Sequence, residues 1–306
     1  MLRAMSALVA VVGAIGAVGG AAQGESAPHA RFGIKPIVPP PAVLSPDEPR
    51  PAMRLALQTS SVPGAVARRP AVYLVFWGNQ WARDPAGAAP ALQAFFEGLA
   101  GVADGWGKIL RQYCQGATPG TTSCVGLGGH VRHPSSPLGG VWFDTREPAP
   151  KRATYDDLSA EAIQAANHFG NTTQARNANA QYVIASATGT HPDGFPGSGF
   201  CAYHSSVASA FGNLAWTNLP YVPDLGAGVC TTLSDPSLLD GYFSTESHEY
   251  AESVTDLWPA LGWTDRNGSE IADLCQDLDA RESLSTGTFD VQGIWSNAHG
   301  RCVTGG

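Results

Sequence analysis

Ala71-Val72-Tyr73-Leu74-Val75-Phe76-Trp77 is an unbroken apolar run with the length of a buried strand. Gln181-Tyr182-Val183-Ile184-Ala185-Ser186 repeats the pattern, and Gly140 to Phe143 offers a shorter strand between them. Helix signals fill the intervals. Pro90 suits the first helical position ahead of Leu92, Phe95, Phe96 and Leu99, and Trp106 to Tyr113 has the look of a second short helix. Tyr155 to Phe169 carries acidic Asp156 and Asp157 early and Gly170 at its end. Asp240 can cap a helix to about Val254, which Pro259 ends. Strands thus alternate with helices before a loop-rich C-terminal third. The expected fold is one α/β or α+β domain over residues 69–306, with a central sheet and flanking helices.

The rest of the chain sets the setting. Of its 306 residues, 43% are apolar, enough for a substantial core, and only 14% are charged. The net charge of −8 repels phosphate backbones, which disfavours a nucleic-acid partner. Arg3, the apolar Ser6 to Val18 and the small residues Gly20-Ala21-Ala22 read as a signal peptide over residues 1–22, and no later run is long enough to span a bilayer. Residues 23–68 are Pro-rich, lack apolar periodicity and read as a linker or pro-segment. A secreted chain reaches an oxidising space, so Cys114, Cys124, Cys201, Cys230, Cys275 and Cys302 are expected as disulfides. Fifteen pairings are possible; sequential pairing closes the shortest loops.

Ser247-His248-Glu249-Tyr250-Ala251-Glu252 carries the chemistry. His248 and Glu252, four apart, share one face of a helix and can grip one metal ion, zinc being the expected one. Glu249, one step round, can take a proton from a water as the catalytic base. The layout resembles the zincin helix, with Glu252 where the HExxH motif has its second His. Zincins with a glutamate third ligand place it on a later segment with an acid nearby. By that resemblance, Glu270 is a ligand and Asp273 the acid that orients a ligand His. The competing reading makes His248, Glu249 and Glu252 a solvated helix face with ordinary charge pairs.

The chain also resembles the EXORDIUM, or phosphate-induced protein 1, family of secreted proteins. The matching stretches are Val72 to Gly78, Trp106 to Tyr113, Tyr182 to Ser186, Gly199 to His204, Ser247 to Glu252, Glu270 to Cys275 and Val291 to Asn297 leading to Cys302. They keep their order from about residue 70 to 302. The resemblance implies an extracellular or cell-wall location and a link to growth signalling, with no settled biochemical activity. The chain departs from it at Cys201-Ala202-Tyr203-His204, where the family has Cys-Gly-x-His, and in its Pro-rich lead-in and its scarcity of lysine. The resemblance points to His204 as one more candidate. It follows Cys201, and on a stapled loop it can complete a His248/Glu252 site.

Two functions follow. One is a secreted zinc-dependent, peptidase-like hydrolase acting on a peptide or cell-wall substrate. The other is a non-catalytic extracellular or wall-associated protein in which the same acids are structural. Gly197-Ser198-Gly199 is not the G-x-S-x-G elbow, and no P-loop or dinucleotide fingerprint is present.

Overall fold

The Ala71–Trp77 run lies inside a six-stranded mixed sheet. The computed structural model describes residues 32–36, 55–57, 65–132 and 136–305; the expected leader over residues 1–22 lies outside them. In chain order the strands are β1 (Phe32–Pro36), β2 (Ala56–Leu57), β3 (Ala71–Trp77), β4 (Leu138–Asp144), β5 (Ala180–Ser186), β6 (Phe200–Ser209) and β7 (Gly212–Leu219), followed by β8 (Trp263–Thr264), β9 (Asp279–Leu284), β10 (Gly287–Gln292), β11 (Ile294–Ser296) and β12 (Arg301–Val303). The helices are α1 (Ala88–Gly98), α2 (Tyr155–His168), α3 (Gln174–Asn177) and α4 (Asp240–Thr255).

The sheet order is β1-β6-β7-β5-β3-β4. Strands β4, β3, β5 and β7 run parallel, β6 is antiparallel to β7, and β1 is antiparallel to β6. The remaining strands form two-stranded ribbons, among them β9–β10 beside α4. Strand side chains alternate between the two faces, and here both faces are covered. Val72, Leu74 and Phe76 of β3 enter one core and Val75 the other; Val183 and Ala185 of β5 part from Tyr182 and Ile184 in the same way. That double burial is why β3 and β5 read as continuous apolar runs. Helix α2 closes one face with Leu158, Ala162, Ala165 and Ala166, while α1 and α4 close the other with Leu92, Phe95, Phe96, Tyr242 and Tyr250.

Side-chain caps set the starts of α1 and α2, and α2 begins at Tyr155 as the sequence indicates. Thr154 and Asp157 form a capping box at the start of α2. Helix α1 starts at Ala88, two residues before Pro90, because the Asp84 carboxylate accepts the N–H groups of Ala88 and Ala89, both at 2.9 Å. Residues 107–112 form a 3₁₀ helix within the span read as a second short helix. Asp240 does not cap α4. It is the first helical residue, and its carboxylate receives Ser237 N at 2.6 Å and Arg281 Nη2 at 2.8 Å.

The disulfides join Cys114 to Cys124, Cys201 to Cys230 and Cys275 to Cys302. The pairing is sequential and leaves no free cysteine.

Parts of residues 23–68 belong to the folded body. β1 is an edge strand of the main sheet and β2 pairs with β8. Leu55 is fully buried, with its backbone N–H and C=O both held by the Asn297 side chain. Ala65 O accepts Leu257 N, and Ala67 N donates to Val254 O. These contacts are with residues far along the chain, so local periodicity carries no sign of them.

Candidate metal centre

Helix α4 is buried along its whole length, although it carries Glu246, Ser247, His248, Glu249, Glu252 and Ser253. The reading of its polar residues as a solvated face is therefore wrong. β10, β6, β1 and β7 pack around it, and burying such groups is costly unless each finds a partner.

His248 and Glu252 face the same way, with His248 Nε2 3.2 Å from Glu252 Oε2. β6 brings His204 to this point from the sheet. Its Nδ1 lies 3.2 Å from Glu249 Oε2 and 3.7 Å from Glu252 Oε2, and its Nε2 lies 3.5 Å from Glu270 Oε1. The 3₁₀ turn Asp273–Cys275, held by the Cys275–Cys302 bond, sets Asp273 Oδ1 3.8 Å from His248 Nε2. All six side chains singled out in the sequence thus meet in one place. Five of them fall into two triads, His204/Glu252/Glu270 and His248/Glu252/Asp273, with Glu252 common to both, and Glu249 lies beside His204.

Hydrogen bonds aim these groups. The amides of Ala272 and Asp273 donate to Glu252 Oε1, at 3.2 and 2.9 Å, which leaves Oε2 toward the imidazoles. Gln292 Nε2 donates to Ala272 O, so its Oε1 is turned to accept, and it lies 3.0 Å from His248 Nδ1. A proton on Nδ1 fixes the tautomer in which Nε2 carries the lone pair. Among the described residues, His204 Nε2, His248 Nε2, Glu249 Oε1, Glu252 Oε2 and Glu270 Oε1 are buried with no hydrogen-bond partner.

Unpartnered, converging donors of this kind suit a cation. Two ligand atoms held about 2.0–2.2 Å from a tetrahedral ion stand roughly 3.3–3.6 Å apart, close to the 3.2–3.8 Å spacings seen here. The electrostatics agree. Burial opposes charge on both imidazoles, yet neighbouring carboxylates outweigh it: Glu249, Glu252 and Asp256 raise the pKa of His204, and Glu252 and Asp273 raise that of His248. Burial likewise opposes the Glu252 carboxylate, but His248 and His204 hold its pKa below the usual value. Burial drives Glu249 and Glu270 well above theirs, and burial with Glu252 pushes Asp273 up to about 6. A divalent ion would replace the protons these groups otherwise share.

Two placements bear on the roles read from the sequence. Asp273 Oδ1 approaches Nε2 of His248, the nitrogen turned into the cluster, at 3.8 Å, and Gln292 Oε1 lies at Nδ1 on the other side of the ring. Glu249 lies against His204 Nδ1, where a carboxylate orients the ring, with its second oxygen left unpartnered. Two further residues, Gln292 and Asp256, belong to the surroundings. The one cue to Gln292 is a fully buried amide in the apolar run Val291 to Ile294. Asp256 follows α4 directly and accepts the amides of Ala260, Leu261 and Gly262 at 2.7, 3.0 and 2.6 Å.

The cluster is closed. His204, His248, Glu249, Glu252 and Glu270 are at most 2% exposed, while the Asp273 side chain is 22% exposed. A cavity of about 230 Å³ lies elsewhere, lined by Arg68, Arg69 and Arg132 among others. No family model, no curated protein and no solved structure matches the chain.

Proposed function

We propose that the chain is a secreted, zinc-dependent hydrolase of peptidase type, with Glu252 at the centre of its metal site. The observation that carries this reading is the set of buried, unpartnered donor atoms around Glu252 Oε2. Two neutral-capable imidazoles and three carboxylates are a donor set that zinc accepts. His248 and Glu252 would bind from the helix, His204 from β6, and Glu270 and Asp273 from the segment that leads into the Asp273–Cys275 turn. Zinc would polarise a carbonyl and acidify a water. Glu249, with one oxygen free, would accept the proton of that water and pass it to the leaving amine. Three disulfides suit an oxidising, extracellular setting, and among the described residues no helix is long and apolar enough to cross a membrane. The resemblance to EXORDIUM proteins supports the same location.

One observation favours the second reading, a non-catalytic extracellular protein with a structural ion: the cluster is almost wholly enclosed. Elemental analysis of the purified protein, with a hydrolysis assay against a mixed protein and peptide panel, separates the two. Stoichiometric zinc with metal-dependent cleavage supports the hydrolase. Zinc without cleavage supports the structural ion, and neither zinc nor cleavage removes the hydrolase and leaves the non-catalytic protein whose acids are structural.

A further inference from the structure

Lys35 is one of three lysines in a chain with 18 basic residues, and its side chain is 4% exposed. It enters the protein from β1, whose pairing with β6 sets Phe32 opposite His204 and Lys35 opposite Ala202. Its Nζ donates to Ser244 Oγ at 2.5 Å and to Gln292 Oε1 at 2.8 Å, and stands 3.5 Å from Asp279 Oδ1. Ser244 Oγ in turn donates to Asp279 Oδ1. One carboxylate and two neutral acceptors converging on a single point match an ammonium, which has three donors and no acceptor.

This pocket adjoins the candidate metal centre. Gln292 Oε1, which receives Lys35, also faces His248 Nδ1 at 3.0 Å. Above them, Gln276 Nε2 donates both to Ile34 O of β1 and to Asp273 Oδ1, each at 3.2 Å. Asp273 is the most exposed of the candidate ligands. β1 therefore lies along the open side of the cluster, anchored by a side chain that contacts the residue behind His248. An extended segment paired to a sheet edge, with one side chain in a specific pocket, is how strand addition recognises peptides.

We propose that β1 is an intramolecular occupant of a peptide-binding groove formed by the β6 edge and the Ser244/Asp279/Gln292 pocket, a groove that takes an extended peptide with a lysine at the Lys35 position. The functional meaning rests on the hydrolase reading above, since it makes β1 a built-in cover for that site; the recognition itself does not. It also accounts for the burial of the cluster, because the occupied groove shields its open side.

The test leaves the whole chain in place. A recognition sequence for a specific protease is inserted between Ala42 and Val43, and the folded protein is cut there. Polarisation then follows a labelled peptide of the Ala30–Ile37 sequence. The peptide is expected to exchange into the cut protein. Norleucine at its lysine is expected to weaken binding at least tenfold, and Asp279→Asn to abolish that preference. Absence of binding overturns the proposal, whether the native segment stays locked or cutting unfolds the protein. Equal binding of the lysine and norleucine peptides overturns it as well. Binding is read without turnover, so lysine-selective binding with no hydrolysis sustains the groove and removes the hydrolase. Hydrolysis with no lysine preference does the reverse.

Discussion

His248 Nε2 and Glu252 Oε2 stand 3.2 Å apart on successive turns of α4, both fully buried, and neither has a hydrogen-bond partner among the described residues. Two such atoms would separate or share a proton in good geometry if nothing else held them. The Ala272 and Asp273 amides on Glu252 and the Gln292 amide beside His248 keep them in place instead. An ion pair between the two, or a cation held by both, satisfies this arrangement.

Because Glu252 belongs to both triads, its loss should be the most severe. Glu252→Gln is expected to abolish zinc binding. Glu270→Gln and Asp273→Asn should each weaken one triad and leave the other. Isothermal titration of the apoprotein gives the stoichiometry directly; full zinc binding by Glu252→Gln would remove the shared-ligand arrangement. Chelation of the wild type should lower its melting temperature, since a ligand at a hundredfold its Kd stabilises by about 2.7 kcal/mol.

Gln292 is expected to act on the metal through His248. Gln292→Leu removes the acceptor opposite Nδ1 and frees the ring to rotate. Loss of such an orienting partner typically costs about 10- to 100-fold in metal affinity. Competition with a chromogenic zinc chelator measures this, and unchanged affinity would show that His248 needs no such support.

How far the sequence reveals this structure depends on the range of each interaction. β3 and β5 are legible because burial on both faces leaves an unbroken apolar signature in a few consecutive residues. The α4 motif is legible because four residues make one turn. Glu270, Asp273 and His204 all come from resemblance, His204 with a cysteine three residues before it. Lys35 and Gln292 lie 257 residues apart, and no local pattern reports that β1 threads a lysine to the back of a helix histidine. The burial of α4 is equally hidden. Its charged residues look solvated until β1, β6 and β10 close around them.

The Cys275–Cys302 bond ties the turn bearing Asp273 to β12 across 27 residues. The loop-entropy relation puts the worth of such a crosslink at roughly 3–4 kcal/mol. The Cys275→Ser/Cys302→Ser double variant should lose about that much in denaturant unfolding. Its zinc affinity should fall too, since Asp273 loses its anchor. Stability lost with zinc affinity retained would separate the bond from the site.

Away from the cluster, Asp144 and Glu161 make stability depend on pH. Arg146 donates to both Asp144 oxygens, at 2.8 and 2.6 Å, and this ion pair holds Asp144 below its usual pKa. Burial, then the charge of Asp144, pushes Glu161 from 4.5 up to about 8. The folded state therefore holds the Glu161 proton more tightly than the unfolded chain. Its contribution is full below pH 4.5 and is lost as pH rises toward about 8. Glu161→Gln keeps a donor toward Asp144 without a titrating proton. The variant should be less pH-dependent across that window and more stable than wild type at its upper end, by roughly 1–3 kcal/mol for a buried charge that Gln164 and Arg146 compensate only in part. Parallel pH profiles of the two proteins would refute the assignment.

On the proposed hydrolase reading, Glu249 is the residue that decides the mechanism. Its Oε2 faces His204 Nδ1 at 3.2 Å and its Oε1 is unpartnered. As an orienting partner alone, it would influence turnover only through His204 and the metal. As the proton acceptor, it would influence turnover after the metal is fully loaded. Glu249→Gln keeps the shape and an acceptor oxygen but cannot take the proton. At saturating zinc, kcat is expected to fall by roughly 10² to 10⁴, the usual worth of a positioned base. His248→Ala should lose zinc and activity together. Rescue of Glu249→Gln to wild-type kcat by excess zinc would make Glu249 an orienting residue and move the base elsewhere. A persistent deficit at full zinc occupancy would place the proton on Glu249.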